Sequence, residues 1–201
     1  GKYDFTQELT STTTTNSKYI TINGEDTDNT IFDAANKTRF FTFNATNQVI
    51  KLNNITFTNG FNVKRGGAIY NQADLSIENC KFTNNSIYAT GTSAQGGVIY
   101  TIGNLSVNNS SFTGNLISNT TKYPSAQGGC IYKLTNDNTI NIKFSTFKNN
   151  MISTSITRSI DGVAIYARSY TLGNNSISNC YFKNNTATKS TSTVFTNITN
   201  F

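Results

Sequence analysis

The sequence predicts an all-β chain folded as a right-handed parallel β-helix of about five to six three-strand rungs. Three observations carry this. A short phrase, GG-x-I-Y, recurs as GGAIY at 66–70, GGVIY at 96–100 and GGCIY at 128–132, and in worn form as GVAIY at 162–166. Between its copies a second phrase recurs in register: LSIENCKFTNN at 75–85, LSVNNSSFTGN at 105–115, INIKFSTFKNN at 140–150 and SISNCYFKNN at 176–185. A looser copy, IKLNNITFTNG, stands at 50–60. Within the second phrase apolar residues alternate strictly: Leu75, Ile77, Cys80 and Phe82 match Leu105, Val107, Ser110 and Phe112, and then Ile140, Ile142, Ser145 and Phe147. Period-two spacing in short bounded runs means strands. A repeat of about 30 residues means stacked units.

Each repeat reads as three strands: GG-x-I-Y, then L-S-I, then C-K-F. Three strands separated by bends and repeated in register coil most economically, each strand pairing in parallel with its copy about 4.8 Å away on the next rung. Parallel crossovers take the right hand almost without exception. The paired glycines let the chain turn tightly into the first strand. At the bend before C-K-F, Asn54, Asn79, Asn109 and Asn179 align into a ladder whose amides can bond along the axis. Phe144 interrupts it, and the pattern leaves open whether that ring points in or out. Phe57, Phe82, Phe112, Phe147 and Phe182 form an unbroken core ladder. Tyr70, Tyr100, Tyr132 and Tyr166 align too, with their facing undetermined.

The N-terminal quarter varies the same plan. FFTFN at 40–44 replaces GGAIY, and YITIN at 19–23 with TIFD at 30–33 suggests an earlier rung. Residues 1–18 are expected to cap or fray over it, and 19–201 to form one β-helix domain in which STVFTN at 192–197 opens a further rung. A chain beginning with Gly1 is expected to be an excised fragment or mature segment of a longer protein.

Composition narrows the function. The chain has 201 residues, a formal net charge of +6 and 13% charged residues. Its basic residues form no cluster longer than Lys64-Arg65 and no nucleic-acid motif is present, so nucleic acid is not expected as a partner. No apolar run is long enough for a transmembrane segment. Cys80, Cys130 and Cys180 lack CxxC spacing and there is no histidine, which argues against zinc. Cys80 and Cys180 share one column three rungs apart, about 14 Å, too far for a disulfide. They are expected as free, small, buried residues.

GGAIY followed by LSIENCKFTNN, with rungs closed by FTNN, FTGN, FKNN and FKNN, resembles the adhesin-like surface proteins of methanogenic archaea. The GGA-I and F-x-x-N pair is similar also to the polymorphic outer-membrane proteins of chlamydiae. The resemblance covers about residues 19–197; GVAIY at 162–166 and Gly60 in place of a closing asparagine depart from it. It implies an extracellular, surface-anchored protein that contacts a glycan or protein of another cell or of the matrix. It assigns no ligand, and no cofactor.

Parallel β-helices also host polysaccharide lyases and hydrolases, the alternative reading. These need converging carboxylates. Six of the ten acidic residues precede residue 40, and Asp74 and Glu78 have no acidic partner in the aligned positions of the next rung. No catalytic, metal or cofactor-binding residue is therefore assigned. NGEDTDN at 23–29 reads as a solvated turn and lacks the EF-hand spacing. An outward threonine column, Thr58, Thr83 and Thr113, fails at Lys148 and Lys183. The segments between F-x-x-N and the next GG vary most, and variable insertions on a solenoid often bind. Tyr88, Lys122, Tyr123 and Arg158 are the candidate contacts there, and the chain is expected to be a monomer.

Overall fold

The computed structural model describes residues 1–11, 18–120, 125–135, 138–155, 159–169, 175–188 and 194–197. Lys122, Tyr123 and Arg158 lie outside them. Among the described residues there is no helix, and every strand pairing is parallel. The chain is a parallel β-helix in which each strand bonds to its own copy one turn away.

Three long sheets correspond to the strands read from the repeats. The phenylalanine sheet has seven strands: Lys2–Asp4, Ile31–Asp33, Thr56–Thr58, Lys81–Thr83, Ser111–Thr113, Thr146–Lys148 and Tyr181–Lys183. The leucine sheet has six: Tyr19–Asn23, Val49–Asn53, Asp74–Glu78, Leu105–Asn108, Ile140–Lys143 and Ser176–Ser178. The tyrosine sheet has seven: Leu9–Ser11, Phe41–Phe43, Ile69–Asn71, Ile99–Thr101, Ile131–Thr135, Ile165–Ser169 and Val194–Asn197. Registers are those of the aligned phrases, for example Phe82 opposite Phe57 and Phe112.

A full turn carries two strands beyond the expected three. A fourth sheet runs through Phe61–Asn62, Ser86–Ala89, Leu116–Asn119, Met151–Thr154 and Thr186–Ala187, and a fifth through Ala94–Gln95, Ala126–Gln127 and Ile160–Asp161. Much of what reads as variable loop is thus wall. Ile87, Ile117 and Ile152 are fully buried and pack with Ala94, Ala126 and Ile160 in a second core. The signal was an isoleucine column and a repeated Ala-Gln, in strands too short to display a period.

The first residues also join the sheets. Lys2–Asp4 pairs with Ile31–Asp33 and Leu9–Ser11 with Phe41–Phe43. Phe5 covers the end of the core, with ring centroids 5.0 Å from Phe32 and 5.2 Å from Phe40.

The main core is built of columns. Phe57, Phe82, Phe112, Phe147 and Phe182 stack face to face at 4.7–5.1 Å. Identical residues in identical rotamers recur at the strand spacing, so the rings lie parallel, each pair adding about 0.5–1.5 kcal/mol beyond its buried area. The corners are set by backbone conformation. Asn54, Asn79, Asn109 and Asn179 precede the phenylalanine strands with φ of 44–59°, and Asn59, Asn84, Asn149 and Asn184 follow them with φ of 52–58°. This left-handed region admits asparagine more readily than other side chains. At the third corner Gly96 has φ 68°, and a Cβ on it would collide with the Ile99 carbonyl oxygen. The worn copy GVAIY keeps this glycine, Gly162, and drops its neighbour.

The closing asparagine of F-x-x-N does more than turn the chain. Asn115 is fully buried. Its Nδ2 donates to Asn150 Oδ1 at 2.9 Å and to Phe82 O at 3.1 Å, and its Oδ1 accepts from the Asn85 backbone N–H at 2.9 Å and from Asn85 Nδ2 at 3.1 Å. The arrangement continues through Asn150 to Asn185. At its other end the Gly60 N–H donates to Asn85 Oδ1 at 2.8 Å, and a Cβ on Gly60 would crowd that same oxygen at 2.6 Å.

Candidate binding surface

Alternation along each strand decides which residues face solvent. In the phenylalanine sheet Phe82 points in, so Lys81 and Thr83 point out. Register then gives two outward columns. One runs Lys2, Ile31, Thr56, Lys81, Ser111, Thr146, Tyr181, and the other Asp4, Asp33, Thr58, Thr83, Thr113, Lys148, Lys183. The first turns carry paired charges. Lys2 Nζ lies 2.9 Å from Asp33 Oδ2, and Lys81 Nζ lies 2.7 Å from Asp28 Oδ1. Burial by itself would raise the pKa of Asp33. The Asn59 amide, the Lys2 ammonium and the Ala35 N–H outweigh it and hold the carboxyl below its ordinary value. The last turns carry lysines without acidic neighbours on the sheet.

The bend before the phenylalanine strands forms the edge of this face. Asn79 Nδ2 donates to Asn54 Oδ1 at 3.2 Å, and Asn109 Nδ2 to Asn79 Oδ1 at 2.7 Å. Asn54 and Asn79 are half-buried while Asn109 and Asn179 are exposed, so this is an outer ladder. Phe144 takes the next place. Its φ is 51° and its side chain is 59% exposed. The ring points outward. A bulky residue in the left-handed region is strained by about 1 kcal/mol or more, and an exposed phenylalanine gains nothing from burial.

Phe144 is also a shared wall. On one side a groove of about 390 Å³ runs along the bend past Asn54, Asn79 and Asn109. On the other a groove of about 560 Å³ crosses the leucine sheet past Ser76, Ser106, Asn141 and Lys143. Tyr181, 54% exposed, stands opposite Thr146 on the neighbouring strand. Met151 is partly exposed nearby in sequence, whereas Ile152, expected beside the same apolar spot, is core. Tyr181, Lys143, Lys148 and Lys183 were not among the candidate contacts. The failing threonine column was the signal for Lys148 and Lys183; Lys143 and Tyr181 lie outside that column.

Tyr88 is half exposed, but on the fourth sheet, where its ring lies 5.9 Å from Phe61. The structure does not bring it to Phe144. The aligned tyrosines face away from the main core, since Ile69 and Ile99 beside them point in. They are nevertheless closed off. Tyr70, Tyr100, Tyr132 and Tyr166 stack at 4.9–5.2 Å, against Ile102 and Leu134, under the guanidinium groups of Arg39 and Arg65 at 5.6 and 4.8 Å from Tyr70 and Tyr100. Burial, with the neighbouring Tyr166 and Tyr100, pushes the Tyr132 hydroxyl pKa well up. This column is wall, not ligand platform.

Of the remaining polar groups, Asp26 is committed to its own loop. It accepts from the N–H groups of Asp28 and Asn29 and from Asn29 Nδ2 at 2.7–2.8 Å, which holds its carboxyl pKa down. Among the described residues no group of three or more His, Cys, Asp or Glu side chains could hold a metal ion. The cysteines are free, with Cys80 and Cys130 buried. Burial raises the Cys80 thiol to about 11. Lys133 faces the interior at 1% exposure, donates to the Ile102 carbonyl at 3.3 Å, and is pushed by burial down to about 7.

No family model, curated protein or solved structure matches this chain.

Proposed function

We propose that this β-helix is a non-catalytic interaction module of an extracellular, surface-anchored protein of adhesin type, binding a glycan or protein of another cell or of the matrix along one long edge. The observation that carries the reading is Phe144. From Asn54 to Asn179 the outer bend otherwise uses asparagine, which suits the left-handed backbone, and the first turn has Gly24 at this place. Only here does it hold an exposed aromatic ring, between two grooves, at a cost in both strain and hydration. Outliers of this kind persist where they serve contact.

The carboxylates support the non-catalytic reading by what they bond. Glu8 pairs with Arg39, Asp28 with Lys81, Asp74 with Asn104 and Asp161 with Gln127. The two grooves beside Phe144 carry one carboxylate each, Asp26, which is bonded within its own loop, and Glu78, which accepts from Asn108, so neither groove holds a carboxylate pair. Among the described residues no helix is long and apolar enough to cross a membrane.

The test compares immobilised wild type with Phe144→Asn against fixed cells and a polysaccharide panel, with product analysis for cleavage. The expected result is binding without chain scission, weakened at least tenfold by the substitution while the thermal melt is unchanged or higher. Scission that disappears on substituting Asp74 or Glu78 would instead establish the lyase or hydrolase reading.

A further inference from the structure

The ligand of this edge can be narrowed by charge, on the basis of the reading just given. We infer that the Phe144 surface binds an acidic polysaccharide, with sugar rings on Phe144 and Tyr181 and the carboxylate or sulfate groups on Lys143, Lys148 and Lys183.

The lysines are placed by register. Phe147 lies opposite Phe182, so Lys148 lies directly opposite Lys183 on the next strand, about 4.8 Å away at the backbone. Like charges facing each other across parallel strands are unfavourable. Lys2, Arg39 and Lys81 are neutralised by Asp33, Glu8 and Asp28, whereas Lys18 and Lys51, among other described cations, have no ion pair; what sets Lys148 and Lys183 apart is that they face each other. Among the described residues Lys143, Lys148 and Lys183 have no ion-pair partner. The strands Ile140–Lys143, Thr146–Lys148, Ser176–Ser178 and Tyr181–Lys183 contain no acidic residue at all.

The aromatic groups stand between the cations. Lys143 precedes Phe144 on the leucine-sheet side of the bend, and Lys148 and Lys183 lie beyond it on the phenylalanine sheet. From Lys143 to Lys148 the chain spans no more than about 17 Å, the scale of a short oligosaccharide. The groove leading up to Phe144 is lined by the Asn79 and Asn109 amides, which present donors and acceptors to hydroxyl groups, and at its far end by Lys81, paired with Asp28, and by Asp26, bonded within its own loop. Rings with one apolar face, hydroxyls at the rim and negative charges at intervals satisfy all three features together. A neutral polysaccharide would leave the lysines unmatched, and a polyanion without sugar rings would leave the aromatics unmatched.

The experiment measures binding of the folded chain to polygalacturonate, a sulfated glycosaminoglycan, a neutral β-glucan, polyglutamate and duplex DNA. It does so at two salt concentrations, with thermal melts confirming that each variant is folded. The variants are Phe144→Asn, the double substitution Lys148→Gln with Lys183→Gln, and a control pair, Lys18→Gln with Lys51→Gln, that removes the same charge elsewhere. The expected result is salt-sensitive binding to one or both acidic polysaccharides. It should weaken at least tenfold in the Phe144 variant and in the Lys148/Lys183 variant and change less than twofold in the control. Equal binding of the neutral glucan would overturn the acidic class while leaving an adhesive edge intact. Equal binding of polyglutamate or DNA, insensitive to Phe144→Asn, would reduce the attraction to net charge and overturn it as well. Cleavage of any polysaccharide would overturn the adhesive reading itself.

Discussion

Two asparagine columns flank each phenylalanine strand, one at either end, and they differ in what ties them down. The inner column, Asn85, Asn115, Asn150 and Asn185, bonds to the next turn's amide, to a backbone N–H and to a phenylalanine carbonyl. The outer column, Asn54, Asn79 and Asn109, makes single amide bonds at the surface, and its chief duty is to hold a left-handed φ. In the inner column only glycine stands in, at Gly60, where the next asparagine bonds the bare N–H. In the outer column a phenylalanine stands in. A corner secured by conformation alone can be given to another task; a corner secured by buried hydrogen bonds cannot.

The inner column supplies the largest expected effect. Asn115→Leu removes the acceptor of the Asn85 N–H and one hydrogen bond each from Asn85 Nδ2, the Phe82 carbonyl and Asn150 Oδ1, which keeps only the Asn115 backbone N–H, and should destabilise by about 3–5 kcal/mol. Equilibrium denaturation reads this directly, and a loss below about 1 kcal/mol would show that the column is not a structural requirement.

A third column sharpens the contrast, because there a buried polar position has been changed. Asn71 donates to Ala73 O and to Thr101 Oγ1, and Lys133 occupies the following place. Its pKa is about 7 in the fold against 10.5 for an unburied lysine, with burial the first cause. Between those values the unfolded chain binds the proton that the folded chain does not, so stability rises with pH, by at most about 1.4 kcal/mol per unit. The window to examine is about pH 7 to 8.5, below the range where the raised thiol of Cys80 brings the opposite slope. Lys133→Met should flatten the dependence there and stabilise by about 1–3 kcal/mol at neutral pH. An unchanged slope would place the ammonium in water.

Asn79→Ala tests the outer column. A ladder buried like the inner one would make this substitution severe. With Asn79 half-buried and bonded to one amide on each side, the expected loss is about 1 kcal/mol, mostly from alanine in the left-handed region. A loss above about 3 kcal/mol would erase the distinction between the columns.

Phe144→Asn is the smallest effect and the only one expected to favour the fold. It relieves strain and can accept from or donate to Asn109 and Asn179, for a gain of up to about 1 kcal/mol in thermal or chemical denaturation. A loss of several kcal/mol would mean the ring is packed rather than presented.

The sequence by itself determined the coil, its three long sheets and the core columns. In a parallel solenoid the neighbour of each residue is its own copy, so aligning repeats is equivalent to reading contacts. Phe82 above Phe57 and Leu105 above Leu75 follow from spacing alone. Tertiary structure decided what spacing does not encode. The fourth and fifth sheets have strands of two to four residues with little inward alternation to see, and only the closure of the turn shows Ile87 and Ala94 to be wall. The tyrosines alternate to the outside, yet non-repeating residues, Arg39 and Arg65, cover Tyr70 and Tyr100. At the Phe144 edge the sequence marked Phe144 as an exception and the threonine column as broken. That the ring points outward, and that the lysines ending that column stand unpaired on the same face as Tyr181, depends on φ and on charges brought from other turns. Alternation is a local property of a strand, whereas exposure and ion pairing are properties of everything folded around it.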